Sequence, residues 1–278
     1  MHGGLILFVV LFIVIFVHEL GHVIAFRRAS VDVETMSIGL PWGPHLKIKN
    51  NFLRKYFGQN FTLILSPLII AGYVKPSNQK FEETLPDRDK AFIYGGGVIA
   101  NILLYISMYA VSVLIVIMSG DGRDVYVLMF SFLGKHNPFV ALIAAMVLLS
   151  LLLYYARFIA LSIFPIVGIL MLGVLTYLIW VAFSNTTLLA NGGFVELSAI
   201  TQKAKDAGQL LNYVGFISLI VGLGNLMPLY PLDGGHIGKI FVQRIVPGFE
   251  PYYRRLGIVI VLFLFILQFT PDLYLLFK

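Results

Sequence analysis

Apolar residues along this chain gather into runs longer than a globular core requires, separated by short polar stretches. A membrane-crossing helix needs roughly 20 mostly apolar residues. Six runs fit that description, at 4–26, 92–118, 138–156, 158–183, 209–229 and 256–276. The third and fourth are parted only by Arg157 and read as a tight helical hairpin. After the first run the period changes to two. Val31, Val33 and Thr35 fall on one side of a strand-like stretch, 31–38, while the apolar stretch 61–74 is broken by Pro67 and Gly72. Together these two stretches predict a small membrane-associated, re-entrant β-hairpin. Residues 184–208 read as an outer interfacial segment leading into the fifth run. The expected fold class is an all-α polytopic membrane protein with about six transmembrane helices and that hairpin after the first. The first run has no basic region before it and continues into a polar cluster, so it reads as a retained helix rather than a signal peptide.

Composition agrees with this pattern. Of 278 residues, 59% are hydrophobic and 12% charged, and mean hydropathy is +0.89. Soluble domains carry about 25% charged residues, so a water-soluble globule is excluded, as is a disordered chain. The absence of cysteine excludes a disulfide framework, a thiolate zinc site and a cysteine nucleophile. The net charge of +6 is topological. With the N-terminus outside, the inner loops 27–91, Arg157 and 230–255 hold ten, one and four of the 20 Lys and Arg, 15 in all. That asymmetry predicts both termini outside and the basic loops in the cytoplasm. The lipid bilayer, through its anionic headgroups, is then the partner of these loops, and nucleic acid is not.

Against this background the first run carries three ionisable residues at lipid depth, His18, Glu19 and His22. Each charge there costs at least about 2.5–3.5 kcal/mol. Histidines at i and i+4 share one helical face and can bind one ion, and the Glu beside the first ligand can take a proton from metal-bound water. A lone histidine of this kind is more often a hydrogen-bonded core residue. The full His-Glu-x-x-His pattern favours metal. A catalytic zinc site needs a third protein ligand. The best-placed is Asp233, after a fifth run broken by Pro228 and Pro231, on irregular backbone with Gly234 and Gly235 allowing close approach. His236 is a weaker ligand candidate, placed toward the cytoplasmic mouth. Gly95-Gly96-Gly97 reads as close helix packing, since no strand precedes it and no Lys-Ser/Thr follows.

His18-Glu19-Leu20-Gly21-His22, taken with the segment Asn225 to Gly235, resembles the site-2 protease family of intramembrane zinc metalloproteases. Gly97-Val98-Ile99-Ala100-Asn101 is similar to the family's Gly-Pro-x-x-Asn element, with Val98 in place of the proline. Ser37-Ile38-Gly39 and Gly72-Tyr73-Val74-Lys75 resemble the re-entrant region of the bacterial branch that cleaves anti-sigma factors. The resemblance covers about 1–118 and 190–276. Between them, 119–189 holds an extra transmembrane hairpin where that branch usually carries PDZ domains, so the chain reads as one integral-membrane domain, 1–278.

The resemblance implies one Zn²⁺ held by His18, His22 and Asp233, with Glu19 as general base on the fourth-position water. It implies substrate contact by Asn101 and Asn225, which alone read equally well as helix-to-helix amides, and by Gly72 and Tyr73. The implied reaction is hydrolysis of peptide bonds in or near transmembrane segments of membrane proteins, such as single-pass anti-sigma-factor-like substrates, in a prokaryotic plasma membrane. The expectation weighed against it is a non-catalytic membrane scaffold or an ion-translocating protein using the same His and Asp residues.

Overall fold

The computed structural model describes residues 2–119, apart from 42, 70 and 79, and residues 207–276, apart from 247. The chain divides into two compact units, Met1–Ile115 with Ser198–Leu264, and Val116–Leu197 with Phe265–Lys278. The candidate site lies in the first. Of the second, only the ends of two helices are described. The predicted spans 138–156 and 158–183 and most of the segment 184–208 lie outside the described residues.

The first apolar run forms α1 (His2–Arg28), 27 residues, which at 1.5 Å per residue is about 40 Å long. Arg27 and Arg28 close it, where cations suit the carbonyl end of the helix dipole. The second forms α4 (Asp87–Ser119), whose first turn carries Asp87 and Asp89 at the end that favours anions. The fifth and sixth form α5 (Ala207–Asn225) and α7 (Glu250–Leu276). Among the described residues, two helices are long and apolar enough to cross a membrane, Leu5–Arg28 and Asp87–Ser112. Leu5, Phe8, Val9 and Ile24 of α1, and Leu103, Ile106 and Leu114 of α4, are exposed. Faces this apolar mark association with a membrane rather than water.

Between α1 and α4 the chain builds a sheet, with two short helices, α2 (Asn51–Phe57) and α3 (Phe81–Thr84). The strands are β1 (Val33–Ile38), β2 (Leu46–Ile48), β3 (Thr62–Leu65) and β4 (Gly72–Pro76), in the order β2-β3-β1-β4. β1 pairs with β3 in parallel, Thr35 opposite Thr62, and with β4 in antiparallel fashion, Ser37 opposite Tyr73 and Ile38 opposite Gly72. This four-stranded mixed sheet replaces the expected hairpin. The stretch 61–74 is not one strand, because its break falls between β3 and β4, which flank β1 on opposite sides. A lone hairpin would also be marginal, whereas more strands with an apolar face can be stable. Val33, Met36 and Ile38 of β1 and Phe61, just before β3, are buried with Val23, Phe26 and Ile93 of α1 and α4.

After α5 the chain is irregular through residues 226–232, with a cis peptide bond between Tyr230 and Pro231. α6 (Asp233–Ile245) follows. Asp233 therefore opens a helix instead of lying on irregular backbone. Gly234 and Gly235 hide that helix start in the sequence, because glycine is a poor helix former. Their small size is used for packing, since a side chain on Gly234 or Gly235 would overlap the backbone of residues 226–230.

Candidate metal centre

His18 and His22 lie one turn apart on the inner face of α1, and their rings meet edge to face at 4.9 Å between centroids. Two glycines bring α4 close to that face. Gly21 and Gly96 pack backbone to backbone, where a Cβ on Gly96 would stand 2.7 Å from the Gly21 carbonyl oxygen. One residue on, a Cβ on Gly97 would fall 2.6 Å from His18 Nε2. The Gly95-Gly96-Gly97 run thus does more than pack helices, because Gly97 leaves the space that the imidazoles occupy.

Asp233, at the start of α6, faces the same point. Its Oδ2 lies 3.0 Å from His18 Nε2 and 3.2 Å from His22 Nε2, and the two nitrogens are 3.2 Å apart. Asp233 Oδ2 is buried and has no well-aligned hydrogen-bond donor. Ligands bound tetrahedrally to zinc at about 2.0–2.1 Å would be about 3.3 Å from one another, so this triangle has the dimensions of a zinc site. Among the described residues it is the one cluster of three His, Cys, Asp or Glu side chains able to hold an ion. His236 is not part of it. Its ring stacks on Tyr94 at 4.6 Å and lies 4.8 Å from Tyr230. Burial, with the Lys239 charge added, pushes its pKa below the ordinary histidine value.

The imidazoles are also held from behind. His22 Nδ1 donates to the Ile93 carbonyl at 2.8 Å, which leaves Nε2 free as a ligand, since the partner of one ring nitrogen selects the tautomer. His18 Nδ1 meets the Asn101 side-chain amide at 3.1 Å. Glu19 is buried beside the end of β4, where a Cβ on Gly72 would stand 2.7 Å from Glu19 Cγ. Tyr73, the next residue, is half-buried in β4. Asn225 ends α5, and its amide donates to the Val221 carbonyl at 3.1 Å within that helix. The structure thus brings His18, His22 and Asp233 together, with Glu19 and Gly72 in mutual contact and Asn101 behind His18.

Sequence reasoning missed a second polar cluster. Lys239 Nζ, buried two turns along α6, donates to Glu82 Oε2 at 2.6 Å, and the Tyr94 hydroxyl donates to the other Glu82 oxygen. Burial alone would raise the Glu82 pKa, but the two hydrogen bonds and the Lys239 charge outweigh it and hold it below the ordinary glutamate value. The polar residues Glu82 and Lys239 were the available signal, but 157 positions separate them.

A helix-borne His-Glu-x-x-His pair, converging with a distant aspartate on a point of zinc-site dimensions, makes a donor set that suits zinc. The chain belongs to peptidase family M50, which it matches over residues 6–267. It is also similar to a Helicobacter pylori protein provisionally named a zinc metalloprotease, 35% identical over 109 residues. That match spans 34% of this chain and 29% of the relative. Zinc is the metal that this family membership implies, and His18, His22 and Asp233 are the side chains placed to hold it.

Proposed function

We propose that the protein is an intramembrane zinc endopeptidase that hydrolyses peptide bonds in or near the transmembrane segments of other membrane proteins. The observation that carries this reading is the placement of Glu19 and two corners of the metal triangle, His18 and His22, on α1, a helix apolar enough to cross a bilayer. In this reading the chain is polytopic, with about six spans, both termini outside, and the centre reached from the cytoplasmic side of a prokaryotic plasma membrane.

His18, His22 and Asp233 hold the ion. When bound there, zinc supplies a Lewis acid that polarises a scissile carbonyl and brings the pKa of water to around 7. Glu19 takes the proton of the attacking water and returns it to the leaving amine. Its burial keeps bulk water from competing for that proton. A transmembrane substrate hides its carbonyls in internal hydrogen bonds, so it must unwind locally and find new partners. β4 is an edge strand of the sheet, and its first residue, Gly72, touches Glu19. A substrate strand added along β4 would exchange helical bonds for sheet bonds and bring a peptide group past the general base. Gly72 and Tyr73 supply that edge, and Asn225 holds substrate backbone near the break after α5.

The test compares wild type with Glu19→Gln in reconstituted membranes, reading bound zinc and cleavage of a model single-pass substrate. The variant is expected to keep its zinc and to lose roughly 10²–10⁴-fold in cleavage, the range for a general base. Equal cleavage by the two would sink the mechanism. Cleavage sites confined to soluble parts of the substrate, away from its membrane segment, would sink the intramembrane assignment.

A further inference from the structure

Asn101 is completely buried. α5 closes over it, since the Ser218 hydroxyl donates to the Asn101 main-chain carbonyl at 3.0 Å, and a Cβ on Gly222 would stand 2.9 Å from Asn101 Cβ. The amide has one nearby polar side-chain partner, His18 Nδ1 at 3.1 Å, and its Oδ1 is buried without a hydrogen bond. Asn101 thus presents no surface to a substrate, and a polar atom is left over. We infer that Asn101 is a positioning residue for the metal, acting through His18 by matching whichever tautomer that ring adopts.

The chemistry has two states. Without metal, a proton on His18 Nε2 would face Asp233 Oδ2, 3.0 Å away, and leave Nδ1 to accept from the Asn101 amide N–H. The 3.1 Å between Nδ1 and the amide nitrogen suits that arrangement. With metal, Nε2 must offer its lone pair, so the proton resides on Nδ1, which then needs an acceptor. An amide meets both demands, because half a turn of its last torsion exchanges the N–H donor for Oδ1, the atom now unpartnered. A carboxylate at 101 would serve only the metal-bound tautomer, and an apolar side chain neither. This explains an asparagine here beyond its use as a helix-to-helix amide.

The inference rests on His18, His22 and Asp233 binding zinc, and one assay separates the two. Zinc affinity is measured by chelator competition for wild type, Asn101→Leu and Asn101→Asp, with thermal unfolding of the metal-free proteins alongside. Wild type without zinc affinity would overturn the metal site itself. With wild type binding, Asn101→Leu is expected to weaken zinc roughly 10–100-fold, the range for losing an outer partner of a ligand. Asn101→Asp is expected to retain affinity within a few-fold. Wild-type affinity in Asn101→Leu with a raised KM would overturn the inference and return Asn101 to substrate contact. Loss of affinity in Asn101→Asp as large as in Asn101→Leu would also overturn it, and this arm decides the matter if the leucine variant fails to fold.

Discussion

Two polar clusters, one buried and one half-buried, lie in the same unit, both reached from α6, and they are completed in opposite ways. At one, Lys239 and the Tyr94 hydroxyl bind the two oxygens of Glu82, so cation and anion satisfy each other. At the other, a carboxylate oxygen and two imidazole nitrogens stand within 3.2 Å of one another, and the occupant that would satisfy all three is a cation. Burying polar groups is costly unless they are paired. The self-neutral cluster meets that requirement within the fold and pins α6 to α3 and α4. The convergent one leaves that requirement open within the fold, where a metal ion would meet it.

The contrast can be broken most forcefully at Asp233. Asp233→Asn replaces a carboxylate with a weaker neutral ligand, and zinc affinity should fall by more than the roughly 10–100-fold expected for an outer partner. Melting of the metal-free protein should change little. Full retention of zinc would move the third ligand elsewhere. Lys239→Met tests the pin. It strips Glu82 of its cation and should cost about 1–3 kcal/mol in denaturant unfolding, with zinc affinity held within a few-fold. A loss of zinc as large as in Asp233→Asn would mean that the two clusters are one functional unit.

The smallest effect is acid sensitivity. The Glu82 pKa is depressed in the folded state, so its stabilising contribution is complete above the unfolded value and is lost as pH falls through the folded one. Melting temperature measured from about pH 6 to about pH 3 should therefore drop more in wild type than in Glu82→Gln. Equal drops would remove Glu82 from the acid response.

Much of the site was legible because it is written in local spacing. The pair His18 and His22 needs only the helical period, and Asp233 could be found from the helix-breaking prolines and glycines around it. The sheet was not legible in that way. Val33 to Ile38 read as a strand, but its parallel pairing with Thr62 to Leu65 depends on a crossover through β2 and α2, and no local pattern encodes that register. The role of Gly97 was hidden for a related reason, since a glycine shows only that a side chain is missing and not what fills the space. The Glu82–Lys239 pair joins segments that tertiary packing alone brings together.

The two imidazoles are steadied by partners of different genetic standing. His22 leans on the Ile93 carbonyl at 2.8 Å, and a main-chain oxygen is present whatever residue is encoded at 93. A substitution there can disturb the buried Ile93 side chain but cannot delete the acceptor. His18 leans on a side chain, Asn101, which one codon change removes. Inherited variation can therefore retune this centre from position 101 while half of its alignment stays beyond the reach of side-chain change.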